Sequence, residues 1–455
     1  MLQTEHNRSL ATAIEFSLAS PMFQELGDDA RAFLGVIAFF PQGIDENNLA
    51  WLFPTIPNGM NIIDKFCILS LTYRSDGFVT MLAPLRDHLS PKDPKSSPLL
   101  CATMEHYFTR LSVYVEPDEP TFKEGRWIVS EDVNVEHLLD VFTTINEGSD
   151  DVWSASVGFI RHLYWHKMRP TILKPKIEGL PDNHQYKSEC LTQLSRLLNQ
   201  VGNYPESKRL ASQALKIERE RGGDRRVASL LYRLSKINRY MGLYQEGILQ
   251  VKESLEIHKR LGDTVGQAIC FVRLAFLLVA DKQLDAAEEA ASSVIGLIPG
   301  EGNQYVVCQS YRILGDIYRS KGEVEKAIHH YNMTLEVASS SDWHDELFGV
   351  YYSLAGLFCD QGRFNDAHSH IEHAKSHAAN DPYKMGRAVE LQAGVWFKQC
   401  RFEEARLEAQ CARDIYEKIG AAKDVEDCIV LLQAIQKELG SPLASGQSDN
   451  DSEFL

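Results

Sequence analysis

The chain has 455 residues, of which 44% are apolar, 24% charged and 9% aromatic, an ordinary globular composition with material for two to three domains. Lys and Arg number 47 against 63 Asp and Glu, a formal charge of −16, so a chain without a local basic patch is repelled by phosphate backbones and anionic membranes. The nine cysteines (Cys67, Cys101, Cys190, Cys270, Cys308, Cys359, Cys400, Cys411 and Cys428) show no CxxC spacing and sit mostly beside apolar residues, the pattern of buried thiols in a reducing compartment. The N-terminus shows no basic segment leading into an apolar stretch, and the longest uncharged apolar run, Phe33 to Phe40, is too short to cross a bilayer. A soluble, cytoplasmic protein is expected.

After a stub of residues 1–20, the segment 21–115 reads as three helices and a hairpin. Asp28-Asp29 starts an apolar helix, Ala30 to Phe40, which Pro41 stops. A second runs from Glu46 to Phe53 before Pro54, and a third from about Asn61 to Ser70. Two β-prone runs then flank Ser75-Asp76-Gly77, a hairpin signal. Pro84 opens a further helix, and another covers 99–115. This order predicts a winged-helix-like domain. Residues 116–185 contain two apolar helical stretches, Val133 to Ile145 and Trp153 to Trp165, followed by a Pro- and Gly-containing linker from Pro170 to Gln185.

From 186 to 440 the sequence repeats. A short breaker followed by a large residue recurs as Gly202-Asn-Tyr204, Gly242-Leu-Tyr244, Lys282-Gln-Leu284, Gly322-Glu-Val324, Gly362-Arg-Phe364 and Cys400-Arg-Phe402, at spacings of 40 and finally 38 residues. Other columns hold the register. One is large: Leu194, Leu234, Leu274, Leu314, Leu354. Two are small: Ser195, Ser235, Ala275, Gly315, Ala355, and then Ser207, Gly247, Ala287, Ala327, Ala367, Ala405. Small columns let antiparallel helices approach, and large ones fill the space between stacked units, none of which buries its apolar face alone. The fold class expected is mainly α: a tetratricopeptide-like helical solenoid of about six 38–40-residue units, preceded by the winged-helix-like domain and helical connector. The extra length over a 34-residue repeat is assigned to the turns between units, such as Gly222-Gly-Asp-Arg and Ser339-Ser-Ser-Asp. Val425 to Leu439 reads as a closing helix, and 441–455 as a disordered acidic tail.

The stretch Phe33-Leu-Gly-Val-Ile-Ala-Phe-Phe-Pro-Gln-Gly-Ile-Asp-Glu-Asn-Asn-Leu, with Leu69-Ser-Leu-Thr-Tyr-Arg and Met81-Leu-Ala-Pro-Leu-Arg-Asp, resembles the winged-helix segment of fungal signal-transduction ATPases of the NACHT/NB-ARC (STAND) class. The blocks Val133-Asn-Val-Glu-His-Leu-Leu-Asp-Val-Phe and Arg161-His-Leu-Tyr-Trp-His resemble the same family, in which a P-loop ATPase precedes the winged helix and repeats follow it. This chain departs from that pattern. It contains no GxxxxGK[ST] and no Gly-Lys dipeptide, so no phosphate-cradling loop, and Met81-Leu82-Ala83 lacks the His of the family's Met-His-Asp element. The resemblance therefore implies a relay and sensor part without the ATPase module, with an ATPase-bearing relative as one potential partner.

Nothing argues for catalysis: GxSxG and protease-type Cys signatures are absent, and no catalytic residue, metal ligand set or cofactor is assigned. His368, His370, His373 and His377 share one predicted helix, but no Cys or carboxylate completes a ligand pattern, so solvated histidines are favoured over a metal. His162 and His166 read as helix-surface histidines. The alternative function is nucleic-acid binding through the winged helix; it is disfavoured because residues 21–115 carry seven Lys or Arg against ten Asp or Glu.

The first helices of tetratricopeptide units line a concave face. Transferring those inward-facing positions gives Arg196, Asn199 and Gln200 from unit one, Tyr232, Lys236, Arg239 and Tyr240 from unit two, and Val272 and Phe276 from unit three. Arg312 and Arg319 follow from unit four and Tyr352 from unit five. An acidic chain that gathers cations and aromatics in one groove is suited to a protein or peptide partner of acidic character, because Arg holds carboxylates through paired hydrogen bonds.

Overall fold

The computed structural model describes residues 11–27, 29–112, 126–145, 149–165, 173–298, 303–341, 343–378, 381–419 and 421–440. The predicted tail 441–455, the first ten residues of the stub and His166 lie outside them. The chain forms two compact units, Met1–Leu197 and Leu198–Leu455, with the boundary inside the helix Lys187–Gln200. Among the described residues no helix is long and apolar enough to cross a membrane.

In the first unit the helix Asp29–Phe39 is apolar on nearly every face and is buried accordingly, with Phe33, Leu34, Val36 and Ile37 fully enclosed. The helices Leu49–Leu52 and Gly59–Ile68 follow, then strands Tyr73–Ser75 and Phe78–Thr80. The turn between these strands places both Asp76 (φ 52°) and Gly77 (φ 83°) in the left-handed region, as a tight two-residue hairpin requires. A strand of two residues, Ile44–Asp45, was not anticipated. Numbering the strands β1 (Ile44–Asp45), β2 (Tyr73–Ser75) and β3 (Phe78–Thr80), the antiparallel sheet has the order β1-β3-β2, with Ile44 opposite Val79. Gly43 enters β1 at φ 81°, and a Cβ there would lie 2.1 Å from the Val79 carbonyl oxygen, so only glycine fits.

The connector helix Asp132–Ile145 is joined to this module by buried polar groups. Glu131, fully enclosed, accepts hydrogen bonds from Tyr107 Oη and Asn48 Nδ2. Asn134 donates to the Gly43 carbonyl at 2.8 Å and accepts from the Gln42 amide at 3.1 Å. Burial pushes the Glu131 carboxyl upward, against the opposing pull of those donors. The residues predicted as separate winged-helix and connector segments thus lie in one compact unit. The expected linker is partly helical, Leu173–Gly179, with Leu173 and Ile177 buried. His162 is also buried, 3% exposed, because it faces inward from the helix Asp150–Trp165 and not outward as expected.

The solenoid consists of paired helices. In chain order unit one comprises Lys187–Gln200 and Tyr204–Arg221; unit two pairs Asp224–Tyr240 with Tyr244–Arg260, and unit three Thr264–Ala280 with Leu284–Leu297. Unit four pairs Gln304–Ser320 with Val324–Ser340, unit five His344–Asp360 with Phe364–His377, and unit six Pro382–Lys398 with Phe402–Ile419. Ala422–Leu439 closes the array. The breakers end the first helices in the left-handed conformation: Gly202, Gly242, Gly322 and Gly362 do so, and Lys282 (φ 62°) and Cys400 (φ 59°) adopt it without glycine. Ala287, Ala327, Ala367 and Ala405 are wholly buried. In units one, two and four the extra residues are not in the turns. Only Gly222 and Gly223 separate two helices, and Ser339 and Ser340 are helical; most helices run to 17 residues instead. Amphipathic periodicity continues through these positions, so lengthening the helix buries more surface than enlarging the turn would.

Asp263 caps the first helix of unit three. Its Oδ1 accepts from the Gly266 amide at 2.8 Å, and its Oδ2 lies 2.9 Å from His258 Nδ1. The amide, and then His258, hold the carboxyl below its ordinary 3.8. A depressed folded pKa contributes stability that is present above the unfolded value and is lost as pH falls through the folded one. Asp263→Ala is expected to cost about 1 kcal/mol at pH 7. The gap from wild type in urea melts should shrink as the pH is taken below the ordinary carboxylate range; a gap that does not change with pH would contradict the cap.

Candidate functional site

First helices of successive units touch one another, whereas second helices contact chiefly their own and adjoining first helices, so the first helices form the inner layer of the second compact unit. Three of them converge on one ring. The guanidinium groups of Arg239, Arg273 and Arg312 lie 5.7, 5.8 and 5.1 Å from the centroid of Phe276. Arg239 also stands 5.4 Å from the Tyr240 ring, which stacks on Tyr204 at 5.2 Å and 10°. Arg273 lies 5.0 Å from Tyr232 and donates from Nη2 to its hydroxyl at 3.0 Å. From unit six, Arg387 sits 4.2 Å over Tyr352.

These cations differ in how they are neutralised. Arg312 is paired inside the array: Nε donates to the buried Glu346 at 2.9 Å, and Nη1 lies 3.6 Å from Asp316. Gly349 makes room for it, since a Cβ there would fall 3.0 Å from Arg312 Nε. Arg319 is taken by Asp360 at 2.6 Å, and Asp360 also receives Lys398 at 3.0 Å, so this carboxylate joins units four, five and six. Among the described residues, Lys236, Arg239, Arg273 and Arg387 have no carboxylate within 4.0 Å. The buried Nε atoms of Arg239 and Arg273 also lack hydrogen-bond partners there.

The electrostatic consequence is visible on neighbouring groups. Burial, followed by the fields of Arg273 and Arg387, pushes Arg239 below the ordinary arginine value. Burial alone would raise the Tyr240 phenol, but Lys236, Arg239 and Arg273 outweigh it and hold the phenol below its ordinary value. Tyr204, beyond that ring, is pushed up to about 12 by burial, Tyr240 and Asp424. On the Arg387 side Glu390 and Asp424 are present, each bound by a tyrosine hydroxyl: Tyr416 to Glu390 at 2.9 Å and Tyr383 to Asp424 at 3.2 Å. The concave face therefore has a cationic, aromatic half around Phe276 and a mixed half near the closing helix.

The structure brings together Tyr232, Lys236, Arg239, Tyr240, Phe276 and Arg312, with Tyr352 beneath Arg387. It places the others elsewhere. Arg196 belongs to the first compact unit, where it lies 4.5 Å over Tyr164 and donates to Gln193 at 3.1 Å. Val272, 3% exposed, is part of the core of unit three and not a groove contact, because its column turns toward the neighbouring helices. Asn199 and Gln200 each keep a buried side-chain oxygen without a partner among the described residues. Arg273 and Arg387 were missed. For Arg273 a signal existed, since Arg233 occupies the same column one unit earlier. Arg387 had none; it reaches the groove only because the array curves.

The histidines of unit five are not simply solvated. Tyr351 stacks against His370, His373 and His377 at 5.9, 5.0 and 5.6 Å, and His368 lies 4.0 Å from Trp396. Among the described residues no three metal-ligating side chains converge.

No family model and no curated protein sequence matches the chain. Solved structures resemble it in helical-repeat architecture. A Rap protein complexed with competence and sporulation factor is 12% identical over 74% of this chain and 99% of its own, with a TM-score of 0.48. A STAND protein with a tetratricopeptide repeat sensor from Pyrococcus horikoshii is 13% identical over 92% of this chain and 61% of its own, TM-score 0.46. A tetratricopeptide repeat protein from Parabacteroides merdae is 15% identical over 66% and 99%, TM-score 0.45.

Proposed function

We propose that the chain is a non-enzymatic interaction module whose solenoid recognises an acidic segment of a protein or peptide partner on its concave face. The observation that carries this reading is the set of guanidinium groups on Arg239, Arg273 and Arg387, held on aromatic rings with no carboxylate within 4.0 Å among the described residues. Guanidinium groups left unmatched in a partly dehydrated groove bind carboxylates more strongly than solvated surface cations do. Extended repeat arrays offer a long inner surface on which a peptide meets several units at once.

The helix–β1–helix–helix–hairpin order of the first unit supports reading it as a winged-helix-like relay, and the module as the sensor portion of a STAND-type signalling protein. An ATPase-bearing relative is then one partner to test. The nucleic-acid alternative is disfavoured by the hairpin itself: Arg74 is held by Glu46 and, at 2.6 Å, by Asp64, so the hairpin presents a neutralised cation.

An acidic peptide library captured by the full chain tests the groove. Reversing charge in Lys236→Glu/Arg239→Glu is expected to weaken capture by about tenfold or more, and rising salt should weaken it in wild type. Reversing Lys252 and Lys259, on the second helix of the same unit, should change capture by less than about twofold. Equal losses from both pairs, or a preference for basic peptides, would exclude the groove as the binding face.

A further inference from the structure

We infer that the cationic half of the groove is a phosphoryl subsite, so that the solenoid selects partner segments carrying a phosphorylated side chain around Phe276. This deepens the groove reading above and rests on it. Arg239 and Arg273, each within 6 Å of the Phe276 centroid, are joined by Lys236 in acting on the Tyr240 phenol. None of these three has a carboxylate within 4.0 Å among the described residues; Arg312, the third guanidinium at that ring, is already outnumbered by its own two carboxylates, Glu346 and Asp316, and adds no free charge to the set. A single carboxylate supplies one negative charge and two acceptor oxygens, which leaves most of this set unmatched. A phosphoryl group supplies about 1.5 to 2 negative charges at neutral pH and three acceptor oxygens, and accepts paired hydrogen bonds from guanidinium groups.

The geometry favours the same occupant. Arg273 is oriented by its bond to the Tyr232 hydroxyl at 3.0 Å, and both Arg239 and Arg273 keep a buried Nε that no described residue satisfies. Aromatic rings beneath the guanidinium groups fix their planes, so the donors are pre-positioned and not drawn from mobile side chains. The cations come from two neighbouring first helices, Asp224–Tyr240 and Thr264–Ala280, so the subsite is a property of the stacked array and not of one helix. Partner binding would then be switched on by phosphorylation of the partner.

The test uses the full chain with degenerate peptide libraries fixed at a central phosphoserine, phosphothreonine or phosphotyrosine, beside the same libraries with the unmodified residue and with Glu. Capture by at least one phosphorylated library should exceed its unmodified and Glu counterparts by about tenfold. Arg273→Gln should abolish that preference while leaving the circular-dichroism melt within a few degrees of wild type. Arg273→Lys, which keeps the charge but not the paired donors, should retain binding with a reduced preference. If Glu libraries bind as well as phosphorylated ones, the phosphoryl subsite is overturned and the acidic-peptide groove stands. If no library binds, both readings fall. If inorganic phosphate alone binds as tightly as the captured phosphopeptides, the site is one for a free anion and the peptide assignment is overturned.

Discussion

Ala327→Arg should remove about 4 kcal/mol or more of stability from the solenoid, enough to unfold much of it at moderate temperature. Ala327 is completely buried where the second helix of unit four meets its partner helices, in a core with Tyr331, Val350 and Leu354. The space is already full: a Cβ on Gly315, which faces this helix, would come within 2.4 Å of the Tyr331 ring. A guanidinium introduced here meets two costs together. The helices must separate to admit it, and the charge loses water without gaining a carboxylate. Glu325→Arg, exposed on the same helix, is the control and should change stability by less than about 0.5 kcal/mol. Urea unfolding followed by far-ultraviolet circular dichroism reads both. A loss below about 1 kcal/mol for Ala327→Arg would mean that the helices do not pack through this column.

The second large effect is expected at Glu346. Its carboxylate, 4% exposed, receives Arg312 Nε at 2.9 Å and Gln309 Nε2 at 2.9 Å across the junction of units four and five. Burial acts against the Arg312 charge, but the carboxylates of Glu346 and Asp316 more than offset it and raise the guanidinium above its ordinary value. Glu346→Ala removes the nearer carboxylate and leaves Arg312 with Asp316 at 3.6 Å, so a loss of about 3 kcal/mol is expected. Most of that loss is the buried Arg312 charge left with only the more distant Asp316 to offset its burial. Replacing both partners, in Glu346→Ala/Arg312→Met, should therefore recover the greater part of it. The half-exposed pair Arg319–Asp360 makes a useful contrast, and Asp360→Ala should cost no more than about 1 kcal/mol. If the double replacement at Glu346 and Arg312 is as damaging as the single one, the pair is not the source of the effect.

Both experiments concern junctions between units, and the sequence speaks unequally about them. The small columns and the breakers were legible because each repeats at a fixed spacing and answers a local demand. Ala327 and its counterparts must be small wherever two helices cross, and the residue ending each first helix must be left-handed even where it is Lys282 or Cys400. Apolar periodicity likewise located the longer helices of the first unit, such as Asp29–Phe39, Asp132–Ile145 and Asp150–Trp165, although not Arg126–Ser130 or Leu173–Gly179, nor β1, whose two residues carry no periodicity and exist only because β3 presents an unpaired edge.

What each cation does was decided by tertiary structure. Arg312, Arg319, Arg239 and Lys236 look alike as cations on first helices. The first two meet Glu346 and Asp360 from the next unit, at separations of 34 and 41 residues, whereas Arg239 meets the rings of Tyr240 and Phe276 and Lys236 acts on the Tyr240 phenol through its field. Arg387 enters the same face from 148 positions beyond Arg239, where its charge is felt by Arg239, because the array curves and its first helices lie inside the curve. Repetition determines which face of each helix packs, since that is a one-dimensional property of the chain. Which charges are matched depends on distances between units, and those follow from the accumulated rotation of the stack, which no single repeat encodes.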